Sequence, residues 1–195
     1  MSNISHDDWE ARYQAGRTGW DRGGPSPALE HWLEDGTLAP CRILVPGAGR
    51  GYEVLALARR GFDVTAIDFA PTPVQTLRDA LARERLQARV EQADLLRWQA
   101  PDSFDAVYDQ TCLCALEPRR WDDYARRLHG WLKPGGQLFA LFMQTHREGG
   151  PPFHCDLDAM HALFDAQHWA WPEAPPRRIA HPSGLEELAA VLTRR

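Results

Sequence analysis

The sequence is short of lysine and of long apolar runs. The longest apolar run near the middle of the chain covers residues 138–143, well below the roughly 20 residues that cross a bilayer. The opening MSNISHDDWE lacks the basic and apolar regions of a signal peptide. With a net charge of -5 and no block of Lys or Arg, no basic face is available for a phosphate backbone. We therefore expect a cytoplasmic protein that binds neither nucleic acid nor membrane.

Cysteine is also sparse. Cys41, Cys112, Cys114 and Cys155 form no C-x-x-C pair, so neither a disulfide framework nor a zinc site is expected. The spacing of His146, His154 and Cys155 matches no usual metal site, and we expect no metal. In an extended segment Cys112 and Cys114 would point the same way. They are then either a redox or substrate-side pair or, as is commoner, buried core thiols.

Length and composition bound the organisation of the chain. With 44% hydrophobic and 25% charged residues, 195 residues suit one globular domain with a full core. We expect a single domain over residues 1–195, with an N-terminal helix and lid at 1–35 and a core at 40–195. A core of this size needs no partner subunit, so a monomer is the default expectation.

Residues 42–68 predict a strand, a glycine turn, a helix and a second strand. The apolar run 43–45 ends at Pro46 and leads into the turn 47–51, GAGRG. Apolar residues at helical spacing follow, Gly61 ends that helix, and the next strand finishes at Asp68. This pattern is typical of the first βαβ unit of a nucleotide-cofactor domain.

The spacing of the glycines distinguishes between cofactors. A dinucleotide site has G-x-G-x-x-G, whereas here the glycines are Gly47, Gly49 and Gly51, and Tyr52 occupies the third position. G-x-G-x-G suits a cofactor without phosphate, such as S-adenosylmethionine. Asp68, 21 residues after Gly47, would accept hydrogen bonds from both ribose hydroxyls, unless it is only a solvated loop acid.

The rest of the chain alternates strands and helices. Strands are predicted near 90–94, 104–109, 137–142 and 188–193, and helices near 71–84, 118–132 and 156–166. We predict an α/β fold: a single Rossmann-like, doubly wound, mostly parallel seven-stranded sheet with helices on both faces and an N-terminal helical lid. Asp94 and Asp109 fall at carboxyl ends of strands. Asp94 either meets an adenine amine or caps a helix.

The N-terminal head is rich in aromatic side chains. Trp9 and Tyr13 lie four residues apart, on one face of a short helix, and Trp20 follows in the turn-rich stretch TGWDRGGPSP. These rings either form a ligand lid or close the open edge of the core.

Several segments together resemble a known group. ILVPGAGRGYEVLALARRGFDVTAIDFA, FDAVYDQTCLCALEP and LKPGGQLFALF resemble a class I S-adenosylmethionine-dependent methyltransferase. The head W-x-x-x-Y-x-x-x-x-x-x-W-D with GGPSPAL is similar to the thiopurine S-methyltransferase family, and most of all to its halide and thiol methyltransferases. The resemblance covers nearly the whole chain. It implies S-adenosylmethionine as cofactor and a small molecule, such as a thiol, thiopurine or halide, as methyl acceptor.

The resemblance also implies roles for individual residues. The cofactor-binding residues that it implies are Trp9, Tyr13 and Trp20 around the cofactor, Gly47 under its methionine part, Gly49 in the same turn, Asp68 at the ribose, Asp94 and Leu95 at the adenine, and Gln110 near the methionine end. The chain departs from the family at Tyr13, where Trp is usual, at Gln110, where Tyr or Arg is usual, at Ala48, where Cys is common, and at Phe153, where Tyr is common. The tail segment 182–186, PSGLE, also lacks an expected arginine. These departures bear on the acceptor rather than on the cofactor.

Asp109 is the candidate catalytic residue. It either orients the cationic end of the cofactor or helps to take a proton from a thiol. A thiolate or halide needs no dedicated base, and Asp109 is followed by Gln110-Thr111-Cys112 instead of the Pro-Pro-aromatic segment common in amine-methylating enzymes. A soft nucleophile is therefore favoured. A nicotinamide-dependent oxidoreductase and a non-catalytic S-adenosylmethionine-binding protein are the alternatives.

Overall fold

The structure, a computed structural model, describes residues 6–195, with side chains from residue 8 onward. The first five residues of the predicted head lie outside the described residues. The chain divides into two compact units, residues 1–98 and 99–195. Strands and helices occur in both units, which confirms the α/β class. The single domain predicted over 1–195 stays a prediction.

The first unit contains three parallel strands. Its elements are α1 (His6–Gln14), α2 (Pro27–Glu34), β1 (Arg42–Pro46), α3 (Tyr52–Arg59), β2 (Asp63–Asp68), α4 (Pro71–Glu84) and β3 (Arg89–Gln92). Strand β2 pairs with β1 on one side and β3 on the other. All of β2 except its first residue is buried, as expected for the central strand of a parallel sheet. The predicted βαβ unit is thus confirmed.

The second helix of the head was not predicted. The Ser26 side chain accepts a hydrogen bond from the Ala28 N–H, and Pro27 occupies the first turn. Both are ordinary features of a helix start, and the helix buries Leu29 and Trp32. The sequence Ser-Pro-Ala-Leu is therefore typical of a helix start, although the preceding glycines and prolines suggested only a turn.

The second unit is a mixed sheet. Its elements are β4 (Phe104–Gln110), α5 (Trp121–Trp131), β5 (Leu132–Gln144), α6 (Leu157–Leu163), β6 (Trp169–Ala170), β7 (Arg177–Ala180) and β8 (Glu186–Arg194), with two 3-10 turns at Leu113–Ala115 and Pro118–Arg120. Strands β4 and β5 are parallel, and β8 runs antiparallel to β5. Short strands β6 and β7 both pair antiparallel with β8.

Several predicted boundaries change. The described residues contain eight strands instead of seven, because β6 and β7 form in the segment predicted as a Pro-rich loop. These two short strands are defined by their pairing with β8, and the local sequence does not indicate this pairing. Strand β3 ends at Gln92, so Asp94 lies two residues beyond it. The helix expected from Pro118 begins at Trp121, after a 3-10 turn. Between residues 6 and 195, no helix is both long and apolar enough to cross a membrane.

Gly51 is required by the packing of two helices. It precedes α3 with a left-handed φ of 76°, and a Cβ there would lie 2.3 Å from Cδ1 of Leu77 on α4. Gly51 therefore permits the close packing that the third glycine provides in a dinucleotide fold. Gly61, at the end of α3, also has a positive φ of 82° but has open space around its Cβ position.

Gly51→Ala should destabilise the protein more than Gly61→Ala. Both substitutions introduce left-handed strain of about 1–2 kcal/mol. Only Gly51→Ala adds overpacking against Leu77, worth about 1–3 kcal/mol more. Urea unfolding of the two variants measures the difference. Equal losses of stability would show that Leu77 moves aside without cost.

Candidate active site

The three glycines of the turn after β1 have left-handed backbone angles. Gly47, Gly49 and Gly51 have φ values of 60°, 52° and 76°. The Ala48 N–H donates to the Ile67 carbonyl at 3.0 Å, which ties the turn to the end of β2. The turn therefore presents backbone at the carboxyl ends of β1 and β2, where parallel sheets bind cofactors.

Asp68 lies at the end of β2 and holds the glycine turn. Its Oδ2 accepts from the Gly49 N–H at 2.9 Å, and its Oδ1 accepts from the Ala70 N–H at 3.0 Å. The side chain is buried, and burial raises the pKa of its carboxyl, while the backbone hydrogen bonds act in the opposite direction. Asp68 is therefore not a solvated loop acid.

The aromatic head lies against this turn. The Trp20 ring meets the rings of Trp9 and Tyr13 edge-to-face, at centroid distances of 5.2 and 5.6 Å. A Cβ at Gly49 would lie 3.1 Å from the Tyr13 hydroxyl oxygen. Burial, followed by the charge of Asp68, raises the pKa of Tyr13. The structure thus brings together the three predicted rings, Gly49 and Asp68.

Two pairs of polar residues, which the sequence did not reveal, attach the N-terminal head to the rest of the first unit. The Glu10 carboxylate accepts from the backbone N–H of Thr72 at 3.0 Å and from the Thr72 hydroxyl. Arg50 in the glycine turn forms an ion pair with Asp21, with 2.8 Å between Nε and Oδ2. The head is therefore tied both to the start of α4 and to the glycine turn.

Asp94 and Leu95 follow β3. The Asp94 Oδ1 accepts from the Leu96 N–H at 2.9 Å, which is the geometry of an Asx turn. The Ala93 N–H donates to the Asp68 carbonyl at 3.0 Å, so this segment continues from the end of β2. Leu95 is buried. No helix follows Asp94 before β4 in the described residues, so Asp94 stabilises a turn rather than capping a helix, and its contact with adenine stays a prediction.

Asp109 lies at the end of β4 and is almost completely buried, with 4% of its surface exposed. Its Oδ2 accepts from the Tyr124 hydroxyl at 2.7 Å, and its Oδ1 accepts from the Leu113 N–H at 3.3 Å. The Cys112 N–H adds a further hydrogen bond. Burial raises the pKa of Asp109 to about 6, although these donors oppose the shift. No pattern in the sequence indicates the contact with Tyr124 on α5.

Gln110, the next residue, takes part in a separate polar network. Its Oε1 accepts from the Tyr108 hydroxyl at 3.1 Å, and its Nε2 donates to Glu187 at 3.4 Å. Glu187 lies on β8 and has no exposed surface. Because neighbouring residues of a strand point to opposite faces, Gln110 and Asp109 serve different sides of the sheet.

Three cysteines of the second unit are buried free thiols. Burial raises the pKa of Cys114 well above its usual value and that of Cys155 to about 12. Cys112 and Cys114 are both buried, and the Cys114 thiol is protonated at neutral pH, which favours the core-thiol interpretation of this pair over a redox pair. In the part of the chain described here, no group of three or more His, Cys, Asp or Glu could hold a metal ion.

Comparison with known proteins places the chain in a family. The family model described as Thiopurine S-methyltransferase matches residues 4–174. The chain belongs to the thiopurine S-methyltransferase family. It is an S-adenosylmethionine-dependent methyltransferase, as the glycine spacing and the aromatic head predicted. This membership decides against the nicotinamide-dependent alternative.

Members of the family resemble the chain over most of its length. A probable thiol methyltransferase 2 of Arabidopsis thaliana is 37% identical over 160 residues, 80% of this chain and 71% of the relative. A thiocyanate methyltransferase 1 of Brassica oleracea is 29% identical over 77% of this chain and 68% of its own. A thiopurine S-methyltransferase of Xanthomonas campestris is 30% identical over 194 residues, 90% of this chain and 88% of the relative.

Solved structures agree on the fold. The 1,6-didemethyltoxoflavin-N1-methyltransferase of Burkholderia thailandensis, solved with bound 1,6-didemethyltoxoflavin and S-adenosylhomocysteine, superposes with a TM-score of 0.78. It is 22% identical in sequence, and the match covers 97% of this chain and 86% of that chain. At this identity the likeness concerns the Rossmann-like fold alone.

The raised pKa of Asp109 predicts a pH-dependent contribution to stability. The pKa of about 6 lies above the value of roughly 4 in an unfolded chain, so the folded protein binds the proton more tightly. Between these values the contribution of Asp109 to stability falls as the pH rises. Relative to wild type, Asp109→Asn should therefore gain about 1–3 kcal/mol between pH 4 and pH 7.

Urea unfolding at a series of pH values measures this difference. Asp63→Asn is the matched control, because the Asp63 side chain is 75% exposed at the start of β2. A gap between wild type and Asp109→Asn that stayed constant with pH would mean that Asp109 titrates normally.

Proposed function

We propose that this enzyme transfers the methyl group of S-adenosylmethionine to a small thiol-type acceptor by in-line displacement. The observation that carries the proposal is the complete engagement of Asp109, whose oxygens accept from Tyr124 and from backbone N–H groups. A carboxylate held in this way is poorly placed to deprotonate an alcohol or an amine. A thiolate needs no such base. The names of the relatives, which include thiol, thiocyanate and thiopurine methyltransferases, support the same acceptor class.

The first unit has the features that the cofactor requires. Its glycine turn adopts left-handed angles, and the Asp68 carboxylate lies at the end of the neighbouring strand. When bound, S-adenosylmethionine supplies a methyl group activated by the positive charge of its sulfur. We propose that Gly47 and Gly49 receive its methionine part and that Asp68 holds the ribose.

The remaining predicted residues complete this proposal. We propose that the cofactor is covered by Trp9, Tyr13 and Trp20, that its adenine lies at Asp94 and Leu95, and that its methionine end lies near Gln110. The edge-to-face cluster of the three rings next to Gly49 supports the first of these assignments. The aromatic faces would also exclude water, which strengthens electrostatic interactions in the site.

Of the two roles considered for Asp109, the geometry supports orientation of a cationic group. With a pKa of about 6, the carboxyl is ionised at neutral pH. Its negative charge is buried, where electrostatic interactions are weakly screened. Proton transfer would need an oxygen directed at the acceptor, whereas Tyr124 and Leu113 occupy the two oxygens. We further propose a cytoplasmic, monomeric enzyme with one domain, as its composition suggests.

Asp68→Asn should weaken cofactor binding by about tenfold or more, since an amide replaces one acceptor oxygen by a donor. Calorimetric titration with S-adenosylhomocysteine measures this change, with NAD as a ligand that should not bind. Asp63→Asn, at the opposite end of the same strand, is the control and should bind like wild type. Trp20→Ala should also weaken binding. Ordinary affinity in Trp20→Ala would mean that the head serves only as structure.

The acceptor class is tested by turnover. Purified protein is incubated with S-adenosylmethionine and one of four acceptors: an aliphatic thiol, an aromatic thiol, a thiopurine or iodide. Matching amine and alcohol reactions are controls. Methyl thioether from each sulfur acceptor, or iodomethane from iodide, should form in equal amount to S-adenosylhomocysteine, with little product from amine or alcohol. Cofactor binding without turnover on any acceptor would support the non-catalytic alternative instead.

A further inference from the structure

Three described residues other than glycine have left-handed backbone angles: Arg85, Thr111 and His146, with φ values of 56°, 57° and 51°. Arg85 is the C-cap of α4, where its N–H donates to the Ala82 carbonyl, so its conformation is that of an ordinary helix end. Thr111 and His146 have no such explanation. Thr111 comes directly after β4, and His146 comes two residues after β5, the parallel neighbour of β4.

Thr111 is the most unusual of the three. A β-branched side chain disfavours the left-handed region, whereas glycine adopts it without steric cost. Such strain persists where surrounding contacts enforce it, and it is frequent at functional sites. The enforcing contacts here are those of Asp109, which accepts hydrogen bonds from the Cys112 and Leu113 N–H groups beyond Thr111.

The side chain of Thr111 is not part of this set of contacts. The Asp109 carboxylate, two backbone N–H groups and the Tyr124 hydroxyl make the hydrogen bonds that hold the turn. Glycine at position 111 would therefore adopt the same left-handed backbone angle with less strain. The presence of threonine indicates that its hydroxyl or methyl group has a separate use.

The location of Thr111 suggests that use. Ligands of parallel α/β sheets bind beyond the carboxyl ends of the strands, where Thr111 lies. The 3-10 turn after Thr111 is joined to the loop after β5, because the Phe153 N–H donates to the Cys114 carbonyl at 2.8 Å. Thr111 is only half-buried, so a small molecule can reach it.

We propose that Thr111 is an acceptor-binding residue whose hydroxyl donates a hydrogen bond to the anionic sulfur of a thiolate-type acceptor. Asp109 and Tyr124 are positioning residues that hold the strained turn. The inference rests on the proposed function above. A hydroxyl suits this task because it is a neutral donor: it orients a thiolate without neutralising its charge.

Thr111→Val and Thr111→Ser test the hydroxyl directly, with the thiol that wild type methylates fastest. Valine keeps the branched shape and loses the donor, whereas serine keeps the donor. Thr111→Val should raise the KM for the thiol about tenfold or more, while Thr111→Ser stays within about threefold of wild type. Affinity for S-adenosylhomocysteine, measured by calorimetry, should stay within about twofold in both variants.

Glycine variants separate strain from function. Thr111→Gly and Arg85→Gly both relieve a left-handed angle, so both should raise or preserve Tm. Only Thr111→Gly should raise the KM for the thiol. Because Thr111→Gly relieves strain, a folding defect cannot explain its KM. Tyr124→Phe should also raise this KM, with kcat changed much less, as a positioning role requires.

Equal KM values in Thr111→Val, Thr111→Gly and wild type would overturn the inference. So would a loss of S-adenosylhomocysteine affinity as large as the rise in KM, since it would place Thr111 on the cofactor side. If wild type itself methylates no thiol, the proposed function fails and this inference falls with it. Thiol turnover by wild type together with unaltered variants rejects the role of Thr111 alone.

Discussion

The hydrogen bond from the Gly49 N–H to the Asp68 carboxylate is the contact on which the glycine turn of this methyltransferase depends. Its geometry requires a left-handed angle at Gly49, a carboxylate at the last position of β2 and parallel pairing of β1 with β2. The second oxygen of Asp68 holds the Ala70 N–H at the start of α4. One side chain thus fixes the turn after one strand and the helix after the next. The close approach of Tyr13 to Gly49 depends on the same turn.

Asp109 has a comparable arrangement in the second unit, with a different consequence. Both carboxyls end a strand, both accept backbone N–H groups that follow it, and burial raises the pKa of both. Asp109 differs from Asp68 in that it also accepts a hydrogen bond from a side-chain hydroxyl, that of Tyr124. Because these hydrogen bonds point both oxygens at groups within the protein, Asp109 is poorly placed to take a proton from an acceptor. A methyltransferase built in this way suits an acceptor that is already anionic.

Local patterns in the sequence predicted the parts of the fold that are locally determined. Helix α4 begins and ends where its apolar spacing indicated, and the glycine turn lies between the expected strand and helix. Contacts between distant residues could not be predicted. Tyr124 lies 15 residues from Asp109, Glu10 lies 62 residues from Thr72, and β6 and β7 exist only through pairing with β8. Family resemblance supplied the candidate site residues, whereas the partners that hold them came from three-dimensional packing.

The distribution of glycine supports a functional interpretation of the two strained positions that follow strands. Where the backbone alone needs a left-handed angle, this chain uses glycine, as in the turn after β1 and at the end of α3. The C-cap of helix α4 is Arg85, an exposed residue. A side chain at this position costs only the strain of its left-handed backbone angle. Thr111 and His146 follow the carboxyl ends of parallel strands, where ligands bind and where glycine would relieve the same strain. The side chain of Thr111 therefore contributes something other than stability, and its proposed contact with the methyl acceptor accounts for it.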